Sequence, residues 1–190
     1  MSSATPIRPV EAQPGAASCR DDWAARAAVI AEVAARHAHE VDRDGRFPAE
    51  AVQAMRDSGL LAAWVPESLG GPGLSLRQIA AMCAQIGGAC GASGMIFAMH
   101  QIKLSSIVHH AGSSPWYQAL QKRVVAEALL LGSVTSEVGV GGDIRRSLTH
   151  VARQGDRFTL DKHGSVVSYG AYADALLITA RADEQSPPNG

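Results

Sequence analysis

The densest run of residues able to do chemistry is Thr135-Ser136-Glu137-Val138-Gly139-Val140-Gly141-Gly142-Asp143. It combines two hydroxyls and a carboxylate with glycines that expose backbone N–H groups. Because glycine adds no Cβ, such a loop can approach an anion closely. Read from spacing alone, an ordinary connection between strands is the commoner meaning of a glycine run. Two better-defined motifs begin nearby and fail. Gly139-Val140-Gly141-Gly142-Asp143-Ile144 starts like a dinucleotide fingerprint, but Ile144 stands where the last glycine is needed and no βαβ pattern surrounds it. Gly91-Ala92-Ser93-Gly94-Met95 follows a nucleophile elbow until Met95, where that turn requires glycine.

Other reactive residues lack the spacing for a site. His37 and His39 diverge on a helix, as do the adjacent His109 and His110. Cys83 and Cys90 share a helix face but are separated by roughly 10 Å of helix rise, too far for a disulfide. Cys19 has no matching partner, so neither a metal set nor a disulfide framework is expected. A formal net charge of -1 leaves no electrostatic footprint for nucleic acid. With 46% hydrophobic and 18% charged residues, the 190-residue chain has the balance of a globular protein. No stretch reaches the apolar length of a membrane span, and residues 1–20 read as a disordered tail, not a signal peptide. The default expectation is a soluble cytoplasmic protein.

The elements that must position the glycine loop change character along the chain. Asp21 or Asp22 can cap a helix running to about Asp42, with an apolar seam of Trp23, Ala27, Ile30, Ala34, His37 and Val41. Pro48 suits the first turn of a second helix and Gly59 its end. Residues 64–74, rich in Pro and Gly, should form an ordered loop. A third helix begins at Ser75 and weakens at Gly87-Gly88; a fourth spans Ser93–His110; a fifth starts at Pro115 and ends near Ala128. Beyond it, Leu129–Thr135, Ser147–Arg153, Arg157–Asp161, Ser165–Tyr169 and Asp174–Arg181 read as five short strands. The expected fold is α+β: an all-α helical domain (21–128), then an incomplete middle β-sheet or barrel domain (129–190) with an exposed edge.

Three segments in order resemble the acyl-CoA dehydrogenase family. Phe47-Pro48, Leu60-Leu61 and Val65-Pro66-Glu67-Ser68-Leu69-Gly70-Gly71 are similar to that family's early helix and its P-x-x-x-G-G-x-G loop. Thr135-Ser136-Glu137 with Gly139, Gly141 and Asp143 is similar to its T-E-P-x-x-G-S-D loop. Leu160-Asp161, Val167-Ser168, Gly170 and Ala173-Asp174 are similar to L-N-G-x-K-x-x-I-T-N-G-x-x-A-D. The resemblance covers about Asp21 to Arg181. It implies FAD held between a middle β domain and a C-terminal helical bundle, with only the first domain and part of the second present here. It also implies α,β-dehydrogenation of an acyl-CoA thioester, with hydride passing to the flavin, a separate electron-accepting partner, and a homo-oligomer at full length.

On this resemblance Thr135, Ser136, Gly141, Gly142, Val167 and Ser168 are the cofactor-binding candidates. Ile96, Phe97 and Met99 border the acyl pocket, although apolar residues at such spacing are more often helix core. The family's catalytic base lies in the C-terminal bundle, so no catalytic residue is expected among these residues. Glu137 is therefore not assigned that role, and activity of the isolated chain is not expected. Departures from the pattern are Val138 for Pro, Gly142 for Ser, Val166 for an aromatic residue that lies against the flavin, and Tyr169 for Asn. They leave open a flavin-dependent monooxygenase of the same fold, or a non-catalytic interaction module.

Overall fold

In the computed structural model, residues 23–110, 112–143 and 145–188 are described. The expected tail, Cys19 and the cap at Asp21 or Asp22 lie outside them. Five helices come first: α1 (Trp23–Asp44), α2 (Ala49–Asp57), α3 (Leu76–Ala89), α4 (Gly91–His110) and α5 (Pro115–Glu127). Four short strands follow: β1 (Leu131–Val134), β2 (Ala152–Gln154), β3 (Arg157–Thr159) and β4 (Ala175–Ile178).

The helices form where apolar residues recur on one face. α1 buries Ala27, Ile30, Ala34 and Val41, the seam set by steps of three and four. α3 opens with a reciprocal cap: the Ser75 hydroxyl accepts from the Gln78 N–H while the Gln78 side chain accepts from the Ser75 N–H. It does not fail at Gly87-Gly88 but continues to Ala89. The reason is a close crossing with α4, since a Cβ on Gly94 would lie 2.4 Å from the Gly87 Cα. Missing side chains there let two helix backbones touch. α5 starts at Pro115 and stops at Ala128, which adopts left-handed φ of 49°.

Ile30, Met55, Leu60, Leu61, Ile86 and Phe97 fill one core between α1, α2, α3, α4 and the turn at 60–62. A second, built on Leu104, Ile107, Val124 and Leu131, joins α4 and α5 to β1. The Pro/Gly loop is ordered as expected: Gly71 packs on Val65 so tightly that a Cβ would meet the Val65 carbonyl oxygen at 2.2 Å.

The β half differs from expectation in detail. β1 pairs in parallel with β4, Leu131 opposite Ala175, and β2 and β3 form a separate antiparallel hairpin. Residues 165–169 are not a strand. Tyr169 there takes left-handed φ of 43°, and a single 3-10 turn follows at Gly170–Tyr172. The Ser136 hydroxyl, not a strand neighbour, bonds the backbone at Val166. Of the expected strand 147–153 only Ala152 and Arg153 are regular, as part of β2, because the N–H groups of Leu148 and Thr149 donate to the Glu137 carboxylate instead of to a ladder.

Candidate functional site

β1 carries Ser133 and leads directly into the glycine loop, and alternation along the extended chain puts Ser133 and Thr135 on one side. Their hydroxyls lie 2.8 Å apart. The loop is held against residues 163–166 by two contacts. The Val138 N–H donates to the His163 carbonyl at 3.0 Å, and the Ser136 hydroxyl donates to the Val166 carbonyl at 2.7 Å. α4 passes in front. Between them lies a cavity of about 490 Å³ lined by Thr135, Ser136, Gly141, Gly142 and Ser168 from the β half and by Met99, Ile102 and Lys103 from α4. Ser133, Glu137, Val140, Asp143 and Val166 complete it.

Five of the six residues singled out for cofactor contact thus share one cavity. Val167 does not line it, and its side chain faces Gly170, where a Cβ would meet Val167 Cγ1 at 2.6 Å. Of the three α4 candidates, only Met99 reaches the cavity. Ile96 and Phe97 are buried in the helical core: Phe97 points away from Met99, and Ile96 lies on the inner flank of that face, roughly 120° round the helix from Ile102. Ile102 and Lys103 were missed, yet their spacing of three and four from Met99 puts them on its face and could have revealed them.

Gly142 is informative. Its φ is not positive and a Cβ there would meet nothing within 4 Å. Neither backbone strain nor the chain's own packing requires glycine at this position. Gly141, with φ of +68°, is explained by its conformation alone.

Beneath the loop sits a polar knot. Glu137, 7% exposed, accepts from Ser147 Oγ (2.9 Å), Leu148 N (3.1 Å), and Thr149 N and Oγ1 (2.7 and 2.5 Å), and pairs with Lys162 Nζ at 3.1 Å. Burial alone would raise its pKa, but the Thr149, Lys162 and Ser147 side chains and the Leu148 N–H together hold it at about 2. Lys162 also donates to the Thr179 carbonyl at 2.8 Å. Glu137 is an anchor whose lone pairs are already taken.

His100 is the second buried titratable group. Nδ1 accepts the Leu131 N–H at 3.0 Å, so the proton sits on Nε2, 2.6 Å from the Leu61 carbonyl. Burial depresses its pKa to about 4. The ring clamps α4, the turn at 60–62 and β1 together. Nearby, Asp174 accepts the Leu130 N–H at 2.6 Å and pairs with Arg56 at 2.9 Å. Sequence reading gave Asp174 only a motif letter; its work is to tie β4 to α2 and β1. Among the described residues no group of His, Cys, Asp and Glu is placed to hold a metal, and no helix is long and apolar enough to cross a membrane.

Residues 23–128, more than half the chain, match the family model for the acyl-CoA dehydrogenase N-terminal domain. The chain belongs to the acyl-CoA dehydrogenase family. It is 25% identical over 161 residues to cyclohex-1-ene-1-carbonyl-CoA dehydrogenase of Syntrophus aciditrophicus, covering 85% of this chain and 39% of that protein. Against the human mitochondrial short-chain specific acyl-CoA dehydrogenase it is 29% identical over 146 residues, covering 77% and 35%. Among solved structures, the complex of TdsC from Paenibacillus sp. A11-2 with FMN and indole superposes with TM-score 0.74 at 25% identity, covering 88% of this chain and 40% of that one. TdsC is a dibenzothiophene monooxygenase. The chain spans about two fifths of the length of the curated acyl-CoA dehydrogenase relatives it matches.

Proposed function

We propose that these residues form one wall of a flavin pocket in an FAD-dependent oxidoreductase that dehydrogenates an acyl-CoA thioester. The cavity between the glycine loop and α4 carries this reading. It offers what a flavin nucleotide requires: backbone N–H groups at Gly141 and Gly142 for phosphate, hydroxyls at Thr135, Ser136 and Ser168 for ring heteroatoms, and an apolar face at Met99, Ile102 and Val166. The space beside Gly142 is open, which leaves room for a ligand phosphate at the loop. The Ser168 hydroxyl, engaged by no other described residue, is free to donate to the ring edge.

Bound flavin would supply the acceptor for the β hydride. The residues present here bind, orient and exclude water. They do not supply the base for the α proton. The carboxylates lining the cavity are Glu137, which five donors occupy at a pKa near 2, and Asp143, which lies 3.7 Å from Arg145 and caps its own loop. A general base acts best with a pKa near the working pH and a free lone pair. The base, a separate electron-accepting partner and homo-oligomeric assembly therefore belong, on this reading, to a longer protein.

A monooxygenase is the second reading. Val166, 69% exposed where the dehydrogenase pattern has an aromatic residue, favours it, as does the likeness to TdsC. FMN and FAD titrations followed by flavin fluorescence test the site itself. Saturable binding that weakens about two- to tenfold in Ser168→Ala, but not in the remote Arg123→Ala, is expected for one net hydrogen bond of about 0.5–1.5 kcal/mol. Identical affinities in both variants would overturn the assignment. In longer protein, anaerobic bleaching by acyl-CoA selects the dehydrogenase, and substrate-dependent oxygen uptake by the reduced flavin selects the monooxygenase.

A further inference from the structure

The charges around the cavity do not balance locally. Glu137 is neutralised by Lys162 beneath the loop, and Asp143 faces Arg145. Lys103 lines the same cavity from α4, and no described residue bonds or pairs with its ammonium. Lys103 is half-buried and shares the cavity with Met99, Ile102, Val140 and Val166 as well as with the hydroxyls of the loop. Its four-carbon stem can lie along that surface while the head waits for an anion. Met95, Met99 and Ile102 recur at intervals of four and three, and the outer two are 60% and 58% exposed. The stripe therefore continues the apolar wall along α4 and ends beside the cation.

We propose that Lys103 reads a carboxylate on a substrate whose apolar chain lies along Met99 and Ile102. This deepens the flavin-pocket reading and rests on it only in taking α4 as the substrate side. A thioester accepted here would then carry a second, anionic end, and a neutral chain of the same length would be discriminated against. Discrimination arises because a charged hydrogen bond in a partly dehydrated cavity is replaced by an unsolvated ammonium when the ligand lacks its anion.

The test uses hexanoate and hexan-1-ol as probes on the 190-residue chain labelled at its five methionine methyls with ¹³C. The Met99 resonance is assigned by its loss in Met99→Leu. Hexanoate is expected to shift Met99 saturably, and Lys103→Met to weaken it at least tenfold. Lys103→Arg should retain binding, and hexan-1-ol should bind no more tightly in wild type than in Lys103→Met. Retained dispersion of the methionine methyls shows that each variant is folded. Equal hexanoate affinity in wild type and Lys103→Met, equal affinity for both probes in wild type, or no Met99 shift with either probe overturns the proposal. A parallel FMN titration separates it from the flavin reading. If Lys103→Met weakens FMN tenfold and spares hexanoate, the cation serves a cofactor phosphate and the proposal falls while the flavin pocket stands. If hexanoate depends on Lys103 and no flavin binds, the anion site stands and the flavin reading falls.

Discussion

The two halves of the molecule hold their shape by different forces. In the helical half, Ile30, Met55, Leu60, Leu61, Ile86 and Phe97 are fully buried, and packing of apolar surface fixes how the helices cross. In the β half the strands are three or four residues long, and Phe158, Leu176 and Ile178 remain exposed on them. Leu130 and Leu131 still reach the apolar cores, but beyond β1 the buried side chains among the described residues are polar: Glu137 and Lys162, with Ser147 and Thr149 around them. Hydrophobic burial is non-directional and suits large interchangeable surfaces. A glycine loop has few side chains to bury, so it needs directional bonds to keep one conformation. The candidate site lies where these two kinds of order meet, with a rigid helix on one side and a loop pinned from below on the other.

The strongest way to break this contrast is to remove the pin. Glu137→Ala leaves Lys162 buried without its carboxylate, a loss expected to cost about 3–5 kcal/mol. Amide exchange should rise around residues 136–149 and 160–180, while amides in α1 and α3 stay protected. Uniform loss of protection through α1 and α3 would show that the halves are one cooperative unit. Glu137→Leu combined with Lys162→Met should recover much of the loss, because matched apolar replacements leave no orphan charge.

Acid separates the halves next. His100 has a depressed folded pKa of about 4 against an unfolded value near 6.5, so the unfolded chain binds its proton first. Stability is unaffected above pH 6.5 and falls as pH drops from 6.5 to 4, by about 3 kcal/mol in total. Glu137, also depressed, to about 2, gives stability that is full above its unfolded pKa of about 4.5 and is lost as pH falls toward 2. The seam between α4 and β1 should therefore weaken before the loop anchor does. Denaturant midpoints followed by the fluorescence of Trp23, Trp64 and Trp116, all of which precede β1, should fall between pH 6.5 and 4. A His100→Gln variant that keeps the same slope in that window would sink the assignment to His100.

A smaller loss, about 1–3 kcal/mol, is expected from Gly94→Ala, because the added methyl meets the Gly87 backbone and no flexible side chain is there to yield. Gly91→Ala, with nothing within 4 Å of its Cβ, is the matched control and should be neutral or slightly stabilising. Equal denaturant midpoints for the two variants would mean that α3 and α4 are less closely apposed than this crossing requires.

The same contrast explains what was legible in the sequence. The α1 seam, the helix starts at Ser75 and Pro115 and the stop near Ala128 were readable because helix signals are local and periodic. The strand expected at Ser165–Tyr169 was not. Its Val166-Val167 pair has strand-forming residue types, but Ser136, thirty residues away, takes the backbone bonds at Val166. Ser147–Thr149 misled for the same reason, through Glu137. At the site, motif order found Thr135, Ser136, Gly141, Gly142 and Ser168, yet could not tell which α4 residues face the cavity. Helix phase decided that: Met99, Ile102 and Lys103 outward, Ile96 and Phe97 inward. Gly94, legible only as a failed motif, proved to be a packing residue.

The smallest effect tests the loop side of the comparison alone. Gly142 stands where the family pattern has Ser, and space around it is open, so Gly142→Ser should leave folding within about 0.5 kcal/mol of wild type. If the glycine loop faces a flavin phosphate, the new hydroxyl adds a donor where only a backbone N–H stood. One hydrogen bond contributes about 0.5–1.5 kcal/mol net, so flavin affinity should rise about two- to tenfold. Gly142→Ala controls for bulk: a methyl donates nothing and should leave affinity unchanged or reduce it. Flavin fluorescence titration of the three proteins reads the order Ser, then Gly, then Ala. An order in which Ser and Ala weaken binding equally would mean that the position is glycine to admit the ligand's own volume. The backbone N–H would then be the contact, and the family hydroxyl would have no room to act in this chain.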